Sequence, residues 1–264
     1  MQLRRRLLKA LAAAGLLGPA GISGLIRDAL AKGNAPVAPG LHKLRGDVTV
    51  NSKPAREGQL VGPGDTIVTG PGSEAIYVIG QDAFLQRESS TISFGADAAQ
   101  NLMRVVTGAN SEAIYVIGQD AFMQRELTTV SFGSEAVQNL MRVVSGKILS
   151  VFGKGTRTIQ VATATIGIRG TGCYIEDEGS DAKARTYFCL CYGSVDLTPS
   201  AAPQERESYS TTHHDKPMYI HNDMKMAKMM VPAGVINHSD DELKLLESLV
   251  GRWPPFYGQG GPRY

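Results

Sequence analysis

Ser73–Phe84 reads SEAIYVIGQDAF, and Ser111–Phe122 repeats it without a change. The copies start 38 positions apart and coincide again as QNLMRVV at Gln100–Val106 and Gln138–Val144. Upstream, Thr69-Gly70 aligns with Thr107-Gly108. Identity this close marks a duplicated block, with units 73–110 and 111–148. Within a unit, Ala75–Ile79 is β-branched and aromatic between turn residues, which is a strand pattern. Phe84–Arg87 and Thr91–Phe94 alternate with the two-residue period of half-buried strands. A duplicated block has to bury its own apolar face without disturbing its flanks. Stacked β layers accept such an addition, whereas a closed barrel ties strand number to radius and shear. The expectation is an all-β, solenoid- or roll-like fold of stacked short strands.

Composition agrees with that class. Thirty glycines and thirteen prolines with 6% aromatic residues suit many tight turns and few long helices. Apolar residues make up 42% of the 264, enough for a packed core. Twenty-seven basic residues against 25 acidic leave a net charge of +2, which gives no electrostatic footprint for nucleic acid.

The chain opens MQLRRRLLK and then runs uncharged from Ala10 to Ile26. Basic head, apolar run and small residues read as an export signal over 1–31, with Ala29 and Ala31 as the small-x-small cleavage pattern. Arg4 and Arg5 fit a twin-arginine signal, although Leu3 stands where Ser or Thr is usual. Gly18-Pro19 interrupts the run, so no stable membrane span is expected once the signal is removed. The expected location is periplasmic or otherwise extracytoplasmic.

Leu44–Val48, Lys53–Gly58 and VGPGDTIVTG at Val61–Gly70, followed by TATIGIRGT at Thr163–Thr171, resemble the FecR domain family. The resemblance spans roughly 41–198. It implies an extracytoplasmic β-rich domain that relays or binds signals in the bacterial envelope. Only nine residues precede the apolar run, so the expectation is a stand-alone module without an anti-sigma segment. On physical grounds Gly64 and Asp65 suit a turn with positive φ and a local carboxylate acceptor. Gly167, Gly170 and Gly172 around Arg169 suit close strand approach, with Arg169 tied to a carbonyl or carboxylate and Thr171 closing the signature. Leu140–Val144, Ser145-Gly146 and Lys147–Phe152 read as a hairpin.

Cys173, Cys189 and Cys191 lie on two expected strands joined by a polar turn. In an oxidising compartment a disulfide from Cys173 to Cys191 or Cys189 is the plain expectation. The alternatives are inert thiols, or a metal or haem site in which His213 and His214 join the cysteines. Five methionines between Met218 and Met230 add a copper option, though their spacing is irregular. Residues 199–238 read as a linker and a His/Met-containing extension.

Ser239–Glu242 is a capping box opening an amphipathic helix over 239–251, expected to seal one end of the β domain, with an extended tail at 252–264. No nucleophile elbow, zinc-protease helix or papain-like cysteine context occurs. The functional expectation is therefore a non-enzymatic binding, sensing or scaffold module with no cofactor, whose partner is an envelope protein or glycan. A small periplasmic metal- or haem-binding protein is the alternative.

Overall fold

The computed structural model describes residues 38–80, 82–96, 103–133, 140–178 and 184–258. The export-signal expectations, Arg4, Arg5, Ala29 and Ala31 among them, lie outside those residues, as does the end of the tail. Among the described residues the strands are β1 (Gly40–Arg45), β2 (Val48–Val50), β3 (Lys53–Pro54) and β4 (Thr66–Thr69). The first repeat copy supplies β5 (Glu74–Ile79), β6 (Asp82–Gln86), β7 (Ser90–Phe94) and β8 (Met103–Thr107). The second supplies β9 (Ala113–Ile117), β10 (Asp120–Gln124), β11 (Thr129–Phe132) and the first half of β12 (Leu140–Val151). Then follow β13 (Thr156–Gln160), β14 (Ala164–Glu178), β15 (Arg185–Pro199), β16 (Glu207–Thr211), β17 (Met218–His221), β18 (Met230–Pro232) and one helix, α1 (Asp240–Leu249).

These strands form a single curled sheet, shaped like a half-barrel, in which only the β12–β13 pair is parallel. Along one arm the order is β1-β5-β6-β9-β10, continued by the second half of β12. Along the other it is β2-β4-β7-β8-β11, continued by the first half of β12. The long strands β12, β14 and β15 run through both arms and close the curl on one side. Each repeat copy thus gives one hairpin to each arm, in matching register.

The predicted hairpin at Leu140–Phe152 is instead one bent strand. Gly146 adopts φ +91°, and a Cβ there would meet the Thr128 Cα at 2.6 Å, so the backbone turns the corner between arms without reversing. The stretch expected to be a linker also joins the sheet, because β16 and β17 both pair with β15.

Side-chain alternation explains where the apolar residues go. One set, including Ile67, Tyr77, Phe84, Tyr115, Phe122, Ile148 and Phe188, fills the inside of the curl. The intervening residues of the same strands are apolar too: Val78, Leu85, Val116, Met123, Leu149, Tyr174, Cys189 and Cys191 form a second cluster on the outer face. A strand apolar on both faces has to be covered on both. Leu243, Leu246 and Leu249 of α1, with Phe256 beyond it, provide that outer cover. The helix therefore lies across a face of the sheet rather than over its end, which corrects the expectation of an end cap. Its capping box is present, with the Ser239 and Glu242 side chains answering each other's backbone N–H groups. No helix of the described residues is long and apolar enough to cross a membrane.

The glycine-rich signatures serve the scaffold. Gly64 has φ +87°, and the Asp65 carboxylate accepts from the Gly62 N–H at 2.9 Å. Gly170 has φ +56°, Thr171 is buried, and Gly167 lies against Asp196 on β15. Arg169 donates to the Asp196 carboxylate at 2.6 Å on the surface.

Candidate metal centre

Four ligand-type side chains meet beneath the helical cap. Cys189 and Cys191 come from β15, His214 from the turn after β16, and His238 from the residue preceding the helix N-cap. Their Sγ and ring-nitrogen atoms all lie within 4.8 Å of one another. Each is buried, the two cysteines at 0% exposure, His214 at 3% and His238 at 2%.

The two thiols share a face by the two-residue alternation of β15, and a β-bulge adds Tyr192 to it. Cys173 on β14 faces Leu190, and the next β14 residue, Gly172, faces Tyr192, so Cys191 is the extra residue of the ladder. Cys189, Cys191 and Tyr192 consequently all present to the outer face, although Cys191 and Tyr192 are consecutive. Gly172 is required here: a Cβ on it would fall 2.4 Å from the Tyr192 ring, which reaches across to the Glu247 carboxylate of α1.

The same register disposes of the disulfide. Cys173 pairs across from Leu190 and points with it into the inner core, away from Cys189 and Cys191. All three cysteines are free. Two strand neighbours of opposite orientation cannot bring their Cβ atoms to the ~3.8 Å that a bridge needs.

The histidines are oriented by their second ring nitrogens. His238 Nδ1 lies 2.6 Å from the Ile236 carbonyl, which can only accept, so Nδ1 carries a proton. His214 Nε2 lies 3.2 Å from Asp240 Oδ1. His238 Nε2 and His214 Nδ1 lie 3.1 Å apart, within hydrogen-bond distance of one another. Cys189 Sγ stands 3.4 Å from His214 Nδ1. Backbone geometry holds His214 in place: its φ is +51° and its N–H donates to the Cys191 carbonyl at 2.9 Å. The Tyr174 ring stacks on His238 at 4.6 Å between centroids.

Electrostatics divides the two thiols. The Cys191 thiol hydrogen bond, followed by those of His214 and His238, draws the Cys189 thiol well below its ordinary range. Burial pushes Cys191 well above it. One thiolate and one thiol is the arrangement a low-dielectric site sustains without a cation, since a second buried negative charge costs several kcal/mol.

A tetrahedral ion with bonds of about 2.3 Å to sulfur and about 2.0–2.1 Å to nitrogen requires edges of about 3.3 Å between nitrogens and about 3.6 Å between nitrogen and sulfur. The 3.1 Å and 3.4 Å separations lie close to those edges. The donor set also fits in charge, because two thiolates and two neutral imidazoles neutralise a divalent ion. All four positions are filled by protein, as in closed structural sites, leaving none for a reacting water.

Cys189, His214 and Asp240 also line up as a Cys-His-carboxylate relay. With Cys189 at 0% exposure, no substrate carbonyl can reach its sulfur.

Three of these four ligands, His214 and the cysteine pair, sit among the residues the sequence suggested. His213 is adjacent but outside the tetrahedron, its Nε2 2.9 Å from Asp240 Oδ1. Cys173 does not take part. His238 was missed, and its only sequence signal is its place next to a capping box.

No family model and no curated protein matches the chain. Two crystal structures of a "putative anti-sigma factor" from Parabacteroides distasonis ATCC 8503 superpose with a TM-score of 0.40 at 8% and 9% identity. They cover 50% of this chain, which spans about six-tenths of their length, 59% and 60%. So loose a superposition places none of the four ligand residues.

Proposed function

We propose that this protein is a metal-binding β module of the cell envelope, in which a zinc-class ion held by Cys189, Cys191, His214 and His238 locks the C-terminal cap onto the outer face of the sheet. The observation that carries it is the convergence of two thiols and two imidazoles, all buried, with their ligand atoms within 4.8 Å of one another. The Ile236 carbonyl and the Asp240 carboxylate fix the ligating tautomers, which is the usual task of groups behind a metal ligand. Thiolate and imidazole together favour zinc or monovalent copper over calcium or magnesium, and neutrality of the buried set favours the divalent ion.

A bound ion would tie β15, the 212–217 turn and the residues entering α1. It would supply cross-linking that a small outer core under one short helix lacks. The envelope setting, and a sensing or scaffold role for the remaining β surface, rest on the export-type start and the FecR-like motifs. Stacking of the two repeat copies as solenoid-like layers belongs to the same reading.

Purified protein is expected to carry one zinc per chain. Cobalt loading should give thiolate-to-cobalt charge-transfer and tetrahedral d–d bands. Cys189→Ser and His238→Ala should each abolish both signals. Metal-free protein that shows no cobalt bands on loading would overturn the assignment.

A further inference from the structure

A second set of ligand atoms adjoins the first: His213 Nε2, His214 Nε2 and the Asp240 carboxylate lie within 4.8 Å of one another. His214 belongs to both sets. Its Nδ1 faces Cys189 and His238, while its Nε2 faces Asp240. The two groups differ in access. All four inner ligands are buried, whereas the His213 side chain is 19% exposed, the one member of either set that opens appreciably to solvent. Its ring rests on Phe256 at 4.4 Å, so the surface there is an imidazole held against an aromatic wall.

Building on the proposed inner centre, we infer that His213 and Asp240 form an outer station through which the metal ion enters and leaves. A closed tetrahedral site has no face open to a hydrated ion, so loading requires ligands to be exchanged one at a time. Carboxylate plus imidazole is a borderline pair that captures such an ion without thiolate. The shared His214 then spans the gap. Outer and inner positions lie on either side of this one ring, so a single transfer step past it joins them. Asp240 acts at both stages, taking the ion outside and holding the His214 tautomer afterwards.

The test separates rate from occupancy. Zinc uptake by apoprotein and zinc loss to a chromogenic chelator are followed by stopped flow, alongside zinc content at equilibrium. His213→Ala should keep one zinc per chain while both rates fall at least about tenfold. His213→Asp, which restores a carboxylate at the rim, should recover most of the rate. Unchanged rates in His213→Ala at full occupancy would overturn the entry role and leave the inner centre standing. Lost occupancy in that variant would also overturn it, by making His213 a structural support. Wild-type protein that takes up no zinc would instead sink the centre itself.

Discussion

Two stretches of nearly identical sequence occupy different surroundings here. In the second copy Arg125 reaches the largely buried carboxylates of Glu112 at 3.1 Å and Glu242 of α1 at 2.8 Å, and the exposed Asn237 carbonyl at 3.2 Å. Arg87, its counterpart in the first copy, forms no ion pair among the described residues, although its charge acts on the same Glu112 carboxylate. Asp120 accepts from the Gly153 N–H at 2.8 Å and pairs with Arg157, whereas Asp82, among the described residues, accepts from the Gly118 N–H alone. Inside the curl the copies agree closely: Tyr77 donates to Gln86 at 3.0 Å, and Tyr115 to Gln124 at 3.1 Å. Local sequence therefore sets the inner face, while the outer face depends on what the rest of the chain lays over it.

That contrast can be broken by paired substitutions. The largest difference is expected at the arginines. Arg125→Met strands two buried carboxylates and should lower unfolding free energy by about 3–5 kcal/mol. Arg87→Met should cost under about 1 kcal/mol, as for a residue outside such a network. Equal losses in urea unfolding would show that the cap does not rely on the second copy. Next come the aspartates. Asp120→Ala should cost about 2 kcal/mol, leaving the Gly153 N–H and Arg157 without their acceptor, against about 1 kcal/mol for Asp82→Ala. The smallest effect should also be the most even. Tyr77→Phe and Tyr115→Phe should each cost about 1 kcal/mol, and thermal melts that separate them clearly would contradict equivalent inner environments.

Much of the inner architecture is legible in the residues alone. The repeat, the β-branched runs and the capping box at Ser239 act over a few positions, so periodicity and turn chemistry report them. The continuous apolar character of YFCLCY at Tyr187–Tyr192 also signals a strand that needs cover on both sides. The cover itself is not legible, because α1 returns from far along the chain. The candidate metal centre depends on two further facts of register. Cys173 and Leu190 share an orientation, which excludes the bridge suggested by the cysteine spacing. The extra residue at Cys191 alters which side chains face outward, and no local signal marks it. His238 is brought to the cysteines only by docking of the cap, held by Asn237 on Glu176 at 2.7 Å and Glu242 on Arg125.

Tyr192 owes its outward position beside Cys191 to a single unpaired step in the β15 ladder. Deleting Cys191 would let the two strands zip in regular alternation, with Tyr192 in its place. The fold would keep its hydrogen bonds and lose its ligand set. The proposed ion site would thus be separable from the fold by one codon.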